Sequence, residues 1–306
     1  MPRRLASALL LAFALAVSPA AACVVSRRAT VPLDTVAGRF LITMVVNGRN
    51  AIFQLDTGAA RSVVTPAAVQ RLGLRLDQWV DDTIVGVGGV ERHRVADPTS
   101  LVLAGLVLRQ RNLLGRTALA VASLPDDTVE GRRIDGLLGR DLLSAFDLDL
   151  DGPTQRLTLY AVAGCGGRFL PWQSPYAAMP AMEVYGNALV IPVQADGRAL
   201  RALPDTGAVA SMIAAPGMIR LGLTPARIAS SPGVSVNGLG TFTRAGQVYR
   251  FASLQVGDTT ERDVDLLAVP LQVYPTVDML LGADWFHRHR VWLSYTTRQV
   301  FLREGQ

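Results

Sequence analysis

The sequence repeats itself. Asp56-Thr57-Gly58-Ala59 returns as Asp205-Thr206-Gly207-Ala208, an offset of 149 residues. The same offset carries Asn47-Gly48-Arg49 onto Asp196-Gly197-Arg198, Ser62 onto Ser211, and Arg71-Leu72-Gly73-Leu74 onto Arg220-Leu221-Gly222-Leu223. Further along the offset drifts to 143, pairing Asp135-Gly136-Leu137-Leu138-Gly139 with Asp278-Met279-Leu280-Leu281-Gly282, and Asp141 with Asp284. Matches in one order over two long stretches mark a duplicated unit. The chain must therefore fold as two similar halves related by a pseudo-two-fold axis.

Each half reads as mostly β with short helices. Residues 41–46 form an apolar, β-branched run, Asn47-Gly48 is a hairpin-turn signal, and residues 51–55 return toward Asp56. Asp196-Gly197 repeats the turn. Val63-Val64 and Met212-Ile213 read as short strands. Thr65, Pro66 and Gly73 predict a capped helix, and Pro216 and Gly222 bracket its counterpart. Glycine-rich hairpin tips are expected at Gly86, Val87, Gly88 and Gly89, and at Gly238, Leu239 and Gly240. Each half closes on a strand pair, 146–150 with 156–160 and 291–293 with 299–302. The predicted organisation is a first lobe over 38–160, a Gly-, Pro- and Ala-rich linker over 161–187, and a second lobe over 188–303.

Composition excludes several alternatives. Half of the 306 residues are hydrophobic and 18% are charged, which is the profile of a chain with a core. All 30 basic residues are arginines, scattered singly and in pairs, and the net charge is only +5. A nucleic-acid binder would gather them on one face, so no nucleic-acid partner is expected. Arg3 and Arg4, the thirteen-residue apolar run 5–17 and the small residues before Cys23 read as a signal peptide over 1–22. Beyond it no apolar run reaches membrane-spanning length. Export to a bacterial periplasm follows, either free or anchored. Cys23 fits two readings, a lipidated first residue or a thiol free to pair with Cys165, the only other cysteine.

An aspartate in Asp-Thr-Gly after an apolar strand is ordinarily just a turn. Two copies at equivalent places of a duplicated fold are different, because the axis can bring both carboxyls together. Two carboxyls about 3 Å apart cannot both ionise, so they share a proton. The ionised one can deprotonate a water while the protonated one donates to a carbonyl. That is hydrolysis by general acid–base catalysis, with no metal and no cofactor.

On these residues the chain resembles the retropepsin-like aspartic proteases. Each lobe of that family has an apolar strand, Asp-Thr-Gly-Ala, a flap hairpin, and an apolar-apolar-Gly segment, matched here by Leu137-Leu138-Gly139 and Leu280-Leu281-Gly282. The resemblance implies an all-β fold of duplicated retropepsin/pepsin-like barrel lobes, with a monomer acting as a pseudo-dimer. It implies a catalytic pair Asp56 and Asp205. Thr57 and Thr206 would cross-link the loops, Gly58 and Gly207 would orient the carboxyls, and the flap glycines would close over a peptide or unfolded-protein substrate. One departure is Pro204, directly before Asp205, which lacks an N–H for a strand ladder. Another is the first flap, which has no aromatic residue.

Other signals carry less. His287 and His289 have strand spacing but no neighbouring ligand pattern, so no metal site is expected. Gly86-Val87-Gly88-Gly89 lacks the lysine and helix of a phosphate loop. Asp135, Asp278, Asp141 and Asp284 read as turn and cap residues. The competing function is a catalytically silent envelope protein that binds peptides in the same cleft.

Overall fold

A computed structural model describes residues 22–110, 116–240, 242–272 and 274–304. Residues 1–21 of the expected signal segment lie outside the described residues.

The repeat is visible in the strand order. In the first lobe, Arg49–Leu55 runs parallel to Gly136–Leu138, which in turn pairs antiparallel with Val63–Val64. In the second, Arg198–Pro204 is parallel to Met279–Leu281, which pairs antiparallel with Met212–Ile213. The chain thus leaves one strand, loops through Asp-Thr-Gly, and rejoins the sheet two places over, with a later strand inserted between. Each aspartate loop is pinned from below by that insertion. Asp56 N–H donates to Leu138 O (3.0 Å) and Asp205 N–H to Leu281 O (2.9 Å).

Local elements follow the expected chemistry. Asn47-Gly48 and Asp196-Gly197 all have positive φ, as their two-residue turns require. The helix Pro66–Leu72 starts on a Thr65 hydroxyl that accepts from Ala68 N–H, and it stops at Gly73 in the left-handed region. Ala215–Leu221 stops in the same way at Gly222.

The two terminal strand pairs do not close each lobe separately. Asp147–Asp151 pairs with Arg290–Ser294 (Leu148 opposite Leu293), so the lobes share a six-stranded sheet. Val24–Pro32 forms one edge of that sheet and Tyr176–Pro180 the other. The segment expected to be a linker, 161–187, therefore contains strands, and residues before 38 are structural. The reason is burial. One face of the shared sheet packs Leu148, Leu150, Val291 and Leu293 into a core that runs through both lobes. The other face presents Trp292 and Phe301, and Phe169, Trp172 and Tyr176 of the presumed linker cover them. Burying such rings contributes roughly 1.5–3 kcal/mol each.

Three aspartates of that strand are also buried. Asp147 accepts from Trp292 Nε1 (3.2 Å), while Asp149 takes a two-pronged bond from Arg290 at 2.9 and 2.7 Å. Asp151 accepts from Thr154 N–H.

Cys23 is joined to Cys165 in a disulfide. Of the two readings of Cys23, the pairing with Cys165 is the one the structure describes. The bridge ties the outer end of Val24–Pro32 to the end of its partner strand Arg156–Ala163. It closes a 142-residue separation. Replacing both cysteines by serine is expected to lower unfolding stability by roughly 2–4 kcal/mol. Urea denaturation of the oxidised wild type and the double variant measures this. Equal midpoints would mean that strand pairing alone fixes the edge.

Candidate active site

The aspartate loops meet beneath the cleft between the lobes. Four hydrogen bonds cross from one to the other in symmetric pairs. Thr57 N–H donates to Thr206 Oγ1 and Thr206 N–H to Thr57 Oγ1, each at 3.0 Å. The Thr57 hydroxyl donates to Pro204 O (2.9 Å) and the Thr206 hydroxyl to Leu55 O (2.8 Å). Both threonines are buried, so losing either hydroxyl would strand its partners. Pro204 is accommodated because this position contributes its carbonyl to the cross-link, as Leu55 does in the first lobe.

Within each loop the carboxylate is held by its own backbone. Asp56 Oδ1 accepts from Gly58 N–H (3.0 Å) and Ala59 N–H (2.7 Å). Asp205 Oδ1 accepts from Gly207 N–H (2.9 Å) and Ala208 N–H (3.3 Å). The two carboxyls approach each other from opposite lobes, each lying against the other loop's glycine. Glycine is required beside them. A Cβ on Gly58 would sit 2.2 Å from Asp205 Cγ, and one on Gly207 would sit 2.3 Å from Asp56 Cγ. Each motif's glycine thus makes the space that the other lobe's carboxyl fills.

Below the loops lies a second repeated layer, at aspartates expected from the sequence to be turn and cap residues. Ser62 N–H and Oγ donate to Asp141 Oδ1 at 2.9 and 2.6 Å, and Ser211 does the same to Asp284 at 2.9 and 2.7 Å. Each serine hydroxyl then accepts from the glycine of the inserted segment, Gly139 or Gly282, at 2.9 Å. Asp135 and Asp278 instead accept from strand amides, Ile52 and Arg201. The joint repetition of Ser62 with Asp141 and Ser211 with Asp284 was the signal for this layer.

Above the carboxyls is a cavity of about 440 Å³. Its floor holds Asp56 and Asp205, and its roof includes Gly86, Val87, Gly238 and Leu239. The first flap is a tight hairpin, with Gly86 opposite Gly89 across Val87-Gly88. The second is a broader loop between Gly233–Val236 and Arg244–Val256, not a tight hairpin. The tips touch, as Gly88 N–H donates to Leu239 O (2.8 Å) and Phe242 N–H to Gly88 O (3.2 Å). A Cβ on Gly88 would lie 2.5 Å from Gly240 C, so these glycines permit the close backbone approach.

The histidines lie elsewhere. His287 contacts Gly38 O and His289 contacts Trp285 O. Among the described residues no cluster of three or more metal-ligating side chains occurs.

Burial raises both carboxyls. It pushes Asp56 up to about 7, with the Asp205 charge adding to the effect, while the Ala59 and Gly58 amides and Arg140 oppose it. Asp205 is raised by the same burial against its own amide bonds and Arg140. The proton belongs to the pair.

Comparison with known proteins agrees with this geometry. The sequence profile of the aspartyl protease family matches residues 42–142 and 191–285, one match per lobe. The chain belongs to the aspartyl protease family. Its fold is similar to that of the aspartic proteinase from Irpex lacteus (TM-score 0.54, 12% identity), over 92% of this chain and 97% of that one. Identity that low speaks for the fold alone. No significant match is found among curated protein sequences.

A carboxyl raised by folding ties stability to pH. The unfolded aspartate ionises near 3.8, whereas in the folded protease Asp56 holds its proton to about 7. The unfolded chain thus releases the proton first, and the pair's contribution to stability falls as pH rises between those values. Below the lower value that contribution is fully present. Asp56→Asn is expected to flatten this fall, as measured by thermal midpoints across acid to neutral pH. An unchanged slope would mean that the pair does not hold the proton.

Proposed function

We propose that this chain is an exported aspartic endopeptidase that hydrolyses peptide bonds with a water activated by Asp56 and Asp205. The observation that carries the reading is the buried, closely apposed pair of carboxyls on the floor of a cavity roofed by two flaps. With one proton on the pair, the ionised carboxyl takes a proton from water as it attacks the scissile carbonyl. The other carboxyl gives its proton to the carbonyl oxygen. The resulting tetrahedral diol collapses when a proton moves to the amine, which leaves as the new N-terminus. Among the flap residues, Gly86, Val87, Gly238 and Leu239 line the substrate cavity, while Gly88, Gly89 and Gly240 let the tips approach. The tips must part to admit an extended polypeptide.

Both half-sites reside in one chain, which favours a monomer acting as a pseudo-dimer. The Cys23–Cys165 disulfide supports an oxidising compartment, in keeping with the N-terminal signal pattern and periplasmic export. A silent peptide binder would use the same cleft. It gains nothing from Pro204, whose carbonyl accepts from Thr57 as Leu55 O accepts from Thr206.

The test is incubation of purified mature chain with an unfolded protein across acid to neutral pH. Cleavage is expected to be bell-shaped in pH, since losing or gaining one proton removes the acid or the base. Asp56→Asn and Asp205→Asn should each lower kcat/KM by roughly 1,000-fold or more while keeping wild-type circular dichroism. A wild type that binds peptide but cleaves none, with affinity unchanged in both variants, would favour the silent binder.

A further inference from the structure

The repeat breaks at one buried position next to the site. Where the first lobe has Leu138-Gly139-Arg140-Asp141, the second has Leu281-Gly282-Ala283-Asp284. Arg140 is only 1% exposed. Its guanidinium donates from Nη1 to Thr57 O (3.2 Å) and to Gly58 O, the two carbonyls that follow Asp56. Nε donates to Gly186 O (3.2 Å), and Nη2 to Tyr185 O (3.1 Å) and the Tyr274 hydroxyl (3.4 Å). Tyr274 stacks on Tyr185 with ring centroids 4.8 Å apart. One side chain thus joins the first catalytic loop to a turn of the second lobe.

These five partners are neutral. A buried cation bonded only to carbonyls and a phenol is costly unless a charge nearby balances it. Among the described residues, ionisable groups near Arg140 include the Asp56 and Asp205 carboxyls and the phenols of Tyr185, Tyr274 and Tyr295. Burial holds Tyr295 in its neutral form. Asp141, on the same short helix, is bonded to Ser62 and Gln110 and paired with Arg61 (3.7 Å), and Asp147 is bonded to Trp292 and Thr296. The catalytic pair, which carries one negative charge in its working state, includes the acid on the loop whose carbonyls Arg140 holds.

We propose that Arg140 is a positioning residue for the pair: its guanidinium fixes the carbonyls behind Asp56 and supplies the positive charge that balances the singly ionised carboxyls. The inference rests on the pair sharing one proton, which the protease reading requires, but its test needs no hydrolysis. Electrostatic attraction from Arg140 to both carboxyls is the same effect seen from the acids' side.

The experiment follows the carboxyl carbons of isotope-labelled aspartate by NMR, titrating the folded full-length mature chain. Asp56→Asn and Asp205→Asn assign the signals. Arg140→Met removes the charge and is expected to move both titration steps to higher pH by roughly 1 unit or more. Arg140→Lys keeps the charge and should leave both steps near their wild-type positions, with a lower thermal midpoint from lost bonds. Where the protein cleaves peptide, both limbs of its pH profile should move in parallel with the signals. Unmoved steps in a folded Arg140→Met protein would overturn the assignment. If that variant does not fold, the lysine variant decides, and steps shifted by a full unit there would overturn it. Failure of both variants to fold would make Arg140 a structural residue only and also overturn it. The expected shift in Arg140→Met, together with a wild type that cleaves nothing, would leave this inference standing and remove the protease reading.

Discussion

Two carboxyls buried against each other between lobes govern the rest of the architecture. Left to themselves they would separate, because burial and mutual repulsion both penalise their charge. They are kept together by structure beneath them. Gly58 and Gly207 leave the space, the threonine cross-link fixes the loops, and the inserted strands Gly136–Leu138 and Met279–Leu281 hold the loops from below. Under these lie the Ser62–Asp141 and Ser211–Asp284 pairs. Each of these layers is present twice, so each lobe delivers one acid by the same device.

The two lobes could not deliver their acids to one point as loosely tethered bodies. Residues 147–151 and 290–294 pair directly, and one apolar core continues through both halves. The strand at the N-terminal end and the segment 176–180 close the shared sheet, with the disulfide at one corner. Stability and catalytic geometry are therefore coupled, since loosening the shared sheet lets the threonine cross-link slip. Departures from symmetry fall where the two halves need not match. The first flap is a tight hairpin and the second a wider loop, and Arg140 holds the first loop's carbonyls where the second lobe has Ala283.

Much of this was legible in the sequence because it rests on local chemistry. Asn47-Gly48 and Asp196-Gly197 specify their turns by positive φ, Thr65 and Gly73 bound a helix, and the repeated Asp-Thr-Gly motifs name the acids and their spacing. What was not legible depends on contacts between distant residues. Nothing local says that 147–151 pairs with 290–294 and not only with 156–163, so the shared sheet was missed. Residues 161–187 read as a linker because the segment is rich in glycine, proline and alanine, yet Phe169, Trp172 and Tyr176 are there to cover Trp292. Asp141 and Asp284 looked like caps because a carboxylate at a helix start usually is one, and their serine partners lie more than 70 residues away. Arg140 was hidden by being an arginine in a chain whose every basic residue is an arginine.

If one chain carries both halves of a hydrolytic site, its activity survives dilution. The rate of cleavage of an unfolded polypeptide, per mole of purified mature chain, should stay constant as protein concentration is lowered through the nanomolar range. A specific rate that collapses on dilution would mean that two chains must meet to assemble the site. No hydrolysis at any concentration or pH would mean that the paired carboxyls do not perform this chemistry.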